Sequence, residues 1–109
     1  MNLETPSFKL KPEEIRNLVS GMGYCYASHR ITADGMKVGY MYRETPEVPT
    51  DSGWRFFSGT ETQEEVDNPD NIGIYDVNTI ANYDASILPF LNAEPGTSLE
   101  RIGDAFKVI

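Results

Sequence analysis

The stretch Gly53-Trp54-Arg55-Phe56-Phe57-Ser58 decides the fold class. In an extended chain side chains alternate, so Trp54 and Phe56 fall on one face and Arg55 and Phe57 on the other. Bulky apolar groups on both sides predict an interior strand, or a strand with one face turned to a partner. Trp54 either fills the core or belongs to an interface, and the sequence leaves both readings open.

Working outward, the flanking segments repeat the extended pattern. Tyr24–Ser28 places two tyrosines on one face and the small Cys25 and Ala27 on the other. Ala33-Asp34-Gly35 is a turn signal, and Met36–Arg43 reads as the strand after it, with Val38, Tyr40 and Tyr42 sharing a face. Pro46 and Pro49 mark a loop, because neither donates to a ladder. On the other side, Gly59 to Asn71 is polar and acidic, a long surface loop with room for one helical turn. Ile72–Val77 reads as a short strand and Ala105–Ile109 as a closing one. Asn78 is placed to cap a helical segment through Tyr83, and Asp84 to cap another before Pro89.

The N-terminal part differs. Residues 1–10 read as a loose lead-in or an edge strand. Lys11 to Ser20 carries helix signals: Pro12 at the first helical position, Glu13 and Glu14 at the positive end of the dipole, and Gly21 for the left-handed exit. No linker, internal repeat or regular βαβ alternation occurs. The expected architecture is a single α+β domain over 1–109, a mainly antiparallel sheet with a few short helices packed on it.

Composition narrows the function. The chain has 109 residues and a formal net charge of −8. From Phe56 to Glu100 there is no Lys or Arg, and the same stretch holds nine acids, among them Glu61, Glu64, Glu65, Asp67, Asp70 and Asp76. Such a surface repels phosphate backbones and anionic lipid, which disfavours direct nucleic-acid or membrane binding, and it attracts a basic protein. The same charge also serves solubility alone. The lone Cys25 and an N-terminus without a basic and apolar leader predict a cytoplasmic protein.

Tests for catalysis and metal binding come out negative. Cys25 and His29 share a face of an extended strand but stand about 13 Å apart, too far for a nucleophile and its base. One Cys and one His make no zinc set. The run from Asn68 through Gly73 is rich in oxygen ligands, yet a calcium-loop register puts Ile72 at the fifth position and Thr79 at the twelfth, where a glutamate is wanted. No phosphate-binding glycine loop or nucleophile elbow is present. The expectation is a non-enzymatic chain that needs no cofactor and no metal.

The remaining candidates are interface types: Trp54 and Tyr75, with the acids Glu61, Glu64, Glu65, Asp67 and Asp70, and with Asp76, Asn78 and Asn82 beside the helix start. Capping and turn hydrogen bonds account for the last three equally well. The expected partner surface is the acidic stretch 61–76 together with the polar face near Trp54.

Three stretches carry a family resemblance: Val38-Gly39-Tyr40-Met41-Tyr42-Arg43-Glu44, Asp51 through Gly59, and Asp67-Asn68-Pro69-Asp70-Asn71-Ile72-Gly73-Ile74-Tyr75-Asp76 onward to Asp84. In that order, and from about Gly23 to the C-terminus, the chain resembles the Imm33-like proteins, small bacterial proteins grouped with the predicted immunity proteins of polymorphic toxin systems. The resemblance implies a cytoplasmic antidote that binds a cognate toxin and blocks it. A self-associating or regulatory interaction module is the alternative, and an unrecognised enzyme a remote one.

Overall fold

The computed structural model describes residues 8–109. Its centre is the stretch that opened the sequence reading. Strand β3, Asp51–Phe57, is buried at all seven positions. Around it lie β1 (Tyr24–Ser28), β2 (Tyr40–Arg43), β4 (Ile72–Asp76), β5 (Ser98–Ile102) and β6 (Ala105–Val108). The six strands form one sheet in the order β4-β1-β3-β2-β5-β6, antiparallel except for the β1–β3 pair. The α+β class with a mostly antiparallel sheet is therefore observed.

The helices are short. They are α1 (His29–Thr32), α2 (Gln63–Asp67) and α3 (Val77–Tyr83), with a 3₁₀ segment over Ala85–Phe90. Helix α3 and the 3₁₀ segment pack on one face of the sheet, and α2 stands at the rim of the other. The face that α3 and the 3₁₀ segment cover carries Cys25, Ala27, Met41, Trp54, Phe56 and Leu99, each at most 1% exposed. Trp54 stacks on Phe56 and donates its indole N–H to the Leu91 carbonyl at 3.0 Å, which satisfies its polar atom. Each such aromatic contributes roughly 2–3 kcal/mol by burial. Of the two sequence readings of Trp54, the core one holds, so Trp54 cannot meet a partner. Arg43 also turns to this side, donating to the Ser52 and Ala93 carbonyls.

A kink in β3 sets the opposite face. Tyr24 pairs with Asp51, while Tyr26 pairs with Arg55, so β3 spends four residues where β1 spends two. Gly53 absorbs the excess at φ +86°, and a side chain there would run into the Glu44 carbonyl. The result brings Asp51 and Arg55 together on one side.

Several expectations are corrected. The helix expected over 11–20 is a single 3₁₀ turn, Pro12–Glu14, followed by irregular backbone. That backbone finds better partners on α3. Asn78 accepts from the N–H groups of Leu18 and Val19, Asn82 accepts from that of Arg16, and both amides donate to the Arg16 carbonyl. Asn78 is thus a strap anchor, and Asp76 caps α3 instead. Strand β2 begins at Tyr40, four residues later than expected. The Asp84 carboxylate captures the Val38 N–H at 3.0 Å, and Val38 enters the core instead of joining the tyrosine face. Strand β5 was not anticipated. Of the lead-in over 1–10, residues 1–7 lie outside the described residues. Residues 8–10 are not strand: the Lys9 N–H reaches the Thr32 carbonyl and the Leu10 N–H the Tyr83 hydroxyl.

Candidate partner-binding face

No helix among the described residues packs across the other face of the sheet, which is floored by aromatic rings. β1 contributes Tyr24 and Tyr26, β2 contributes Tyr40 and Tyr42, and β3 contributes Arg55 and Phe57. All four tyrosines are partly exposed. Cross-strand register aligns them in rows: Ile74, Tyr26, Arg55, Tyr42 and Ser98 in one, and Phe57, Tyr40, Glu100 and Lys107 in the next.

Arg55 sits at the centre of the first row and is fixed from all sides. Its guanidinium lies over the Tyr26 ring at 4.4 Å. Nη1 and Nη2 donate to the two Asp51 oxygens at 3.0 and 2.9 Å, and Nε donates to Glu44 at 2.9 Å. Burial works against its charge, but the bonds to Asp51 and Glu44 outweigh that and hold the guanidinium well above its ordinary range. Those same bonds from Arg55 hold the Asp51 carboxyl below the usual carboxylate range, against the opposing effect of burial. The group is a rigid, neutralised tile between two aromatic clusters. On one side Tyr24 meets Tyr26 edge-on at 6.0 Å; on the other Tyr42 stacks on Phe57 at 6.2 Å with rings 6° apart.

The rim is acidic and broken into hollows. A cleft of about 660 Å³ lies over Tyr40, Tyr42 and Phe57, with Glu61 and Glu100 on its walls. Another of about 590 Å³ runs between Tyr26, Val66 and Ile74, and a third of about 400 Å³ between Tyr24, Glu44 and Arg55. Helix α2 overlooks the first two through Val66, 38% exposed. Its position is set by a capping box from Thr62 to Glu65 and by Arg30, which donates twice to Glu65 at 2.7 Å. The hydrogen bond from Arg30, more than any other cause, keeps the Glu65 carboxyl below its ordinary value.

Tyrosine clusters with a polar rim are interface chemistry, large rigid rings with a hydroxyl that stays wet. The Cys25 thiol faces the core, and burial pushes its pKa far up, away from a reactive thiolate. Among the described residues no three His, Cys, Asp or Glu side chains gather as metal ligands.

A family model described as the immunity protein Imm33 domain matches residues 25–108. The chain belongs to that family. No curated protein and no solved structure matches it. The Imm33 match begins inside β1 and ends with β6, so it spans all six strands of the sheet. Immunity proteins act on a protein partner, and membership points to a role other than catalysis.

The residues singled out from the sequence fall into three groups. Trp54 is core. Tyr75, half-buried on the helix side, shares a hydrogen bond with Thr32 at 3.0 Å, Asp76 caps α3, and Asn78 and Asn82 hold the strap, so these four have structural duties away from the tyrosine face. Glu61, Glu64, Glu65, Asp67 and Asp70 lie on or next to α2 at the rim. Of these, Glu61 and Asp67 line hollows. The sequence reading missed Tyr24, Tyr26, Tyr40 and Tyr42 as candidates. Their signal was present, since each pair alternates onto one face and its hydroxyls suit a surface that remains wet.

Proposed function

We propose that this chain is a cytoplasmic antidote that binds a cognate toxin through the open tyrosine face of its sheet and blocks it. The observation that carries the reading is that face: four half-exposed tyrosines around a fixed arginine, uncovered by any helix of the described residues and edged by carboxylates. Family membership supplies the class of partner. The acidic rim, in a chain of net charge −8, favours a toxin that is basic where it docks. A nuclease toxin fits that requirement, because enzymes that act on a polyanion are commonly basic.

Pull-down of the partner from source cells, followed by co-expression of the chain with a toxin so recovered, tests this. The wild-type chain is expected to restore growth and to co-purify with the toxin. Tyr42→Ala should weaken the complex at least tenfold, mainly through faster dissociation, while the variant stays folded. Full protection by Tyr42→Ala, with unchanged affinity, removes the tyrosine face from the function. Failure of the wild-type chain to bind the toxin sinks the antidote reading itself.

A further inference from the structure

Four carboxylates among the described residues are buried or largely buried: Asp51, Glu61, Glu65 and Asp84. Three of them are matched by an arginine. Asp51 has Arg55, Glu65 has Arg30, and Asp84 has Arg101. Glu61 is the exception.

Its carboxylate is nevertheless held as an anion. Oε2 accepts from the Ser58 N–H at 3.0 Å and the Ser58 hydroxyl at 2.8 Å, and Oε1 accepts from the Gly59 N–H at 3.0 Å. Burial raises the Glu61 pKa, yet the donors around it prevail and keep it below the ordinary glutamate value. The Ser28 hydroxyl lends a further hydrogen bond, so neutral N–H and O–H donors ring the carboxylate while none of them brings a countercharge. The nearby arginines are committed. Arg30 feels Glu61 but spends Nε and Nη2 on Glu65, and Arg101, which lines the same cleft, sends its guanidinium to Asp84, Ser86 and the Val38 carbonyl. No Lys or Arg occurs from Phe56 to Glu100, nor in the residues before Phe8.

The space next to Glu61 is shaped for what is missing. The cleft floor is the Tyr40, Tyr42 and Phe57 cluster, with ring centroids 5.6–6.4 Å apart, and the exposed Glu100 stands opposite Tyr40 in register. Flat aromatic faces beside a fixed carboxylate suit a planar, weakly hydrated cation better than an ammonium. This protein meets each of its other three shielded carboxylates with a guanidinium.

We propose that this cleft receives one arginine side chain of the partner protein, its guanidinium lying over the Tyr42–Phe57 rings and donating to Glu61. The assignment deepens the antidote reading, and rests on it for the partner being a protein. The test needs no toxin. N-acetylarginine amide is titrated into the isotope-labelled full chain by NMR, against N-acetylcitrulline amide, the neutral isostere, and N-acetyllysine amide. Saturable shifts confined to Gly39, Tyr40, Phe57 and Glu61, at least fivefold tighter for arginine than for either control, are expected. Glu61→Gln should abolish them. Phe57→Leu should weaken them at least fivefold and serves if the first variant loses its fold. Shifts spread over the surface, or equal binding of citrulline, overturn the proposal, and equal binding of lysine overturns the choice of arginine. A chain that binds the arginine probe here but fails to protect cells loses the antidote reading and keeps this site.

Discussion

The two faces of the sheet are made by the same strands, residue by alternate residue, and meet opposite fates. On β1, Cys25 and Ala27 are sealed under α3, while Tyr24 and Tyr26 stay half-open on the reverse. On β3, Trp54 and Phe56 vanish into the core, whereas Arg55 and Phe57 floor an acidic-rimmed surface. Both faces are aromatic, so hydrophobicity does not separate them. What separates them is what lies across: α3 and the 3₁₀ segment supply Val77, Ile80, Ala81 and Ile87 to one face, and the other has only its own rings and the walls of its rim. A bare aromatic face is tolerable because tyrosine hydroxyls keep it wettable and carboxylates edge it.

Substitutions on the two faces should therefore break different things. Trp54→Ala, on the closed face, empties a fully buried indole site and is expected to cost roughly 4–5 kcal/mol, read as a large fall in the urea midpoint. A loss under about 1 kcal/mol would mean that Trp54 does not pack as described.

Next in size is Asp51→Asn, which strips the fixed tile on the open face of its bidentate partner. Breaking a buried pair costs roughly 3 kcal/mol, toward the low end because Glu44 still holds Arg55. The loss is pH-dependent. The Asp51 carboxyl sits below its unfolded value, so its stabilisation is complete above about pH 4 and fades as pH falls through the folded value. Wild-type stability should drop on acidification below about pH 4, and Asp51→Asn should flatten part of that drop. A variant whose acid profile overlays the wild type would dismiss the ion pair as a stabilising element.

The smallest effect on folding is expected at the rim. Neutralising Glu64, Asp67 and Asp70 together should leave stability within about 0.5 kcal/mol, since all three are exposed and none forms an ion pair among the described residues. Binding is where they show. Association with a basic partner should slow several-fold and lose its salt dependence, with dissociation little changed. An on-rate indifferent to both salt and neutralisation would leave these acids as a solubility feature.

Much of the sheet was legible in the sequence, because alternation is a local signal. Tyr24–Ser28 was placed to the residue, and the faces of Trp54, Phe56, Arg55 and Phe57 follow from spacing alone. Helix signals misled at Lys11 to Ser20, where Pro12, Glu13, Glu14 and Gly21 predicted a helix. Five hydrogen bonds from Asn78 and Asn82, sixty residues away, pull that backbone into a strap instead. The candidate site was legible in its charge and not in its floor. The acids announce themselves as a run without a base, but which side of an aromatic strand is covered depends on where α3 lands. The missing countercharge at Glu61 was beyond reach for the same reason, since it emerges only once Arg30, Arg55 and Arg101 have each been seen with another carboxylate.

The placement of β1 has a kinetic meaning. It is the first strand of the sheet in the chain, yet its two neighbours are β3 and β4, which begin 23 or more residues after it ends. As the chain leaves the ribosome, β1 must wait for Asp76 to emerge before both of its edges are paired, and until then the strand carrying Cys25 presents open edges. Meanwhile β2 and β3, adjacent in sequence and antiparallel, can pair at once. Assembly should thus start at the β2–β3 ribbon and close late at β1, with the closing loops setting the pace.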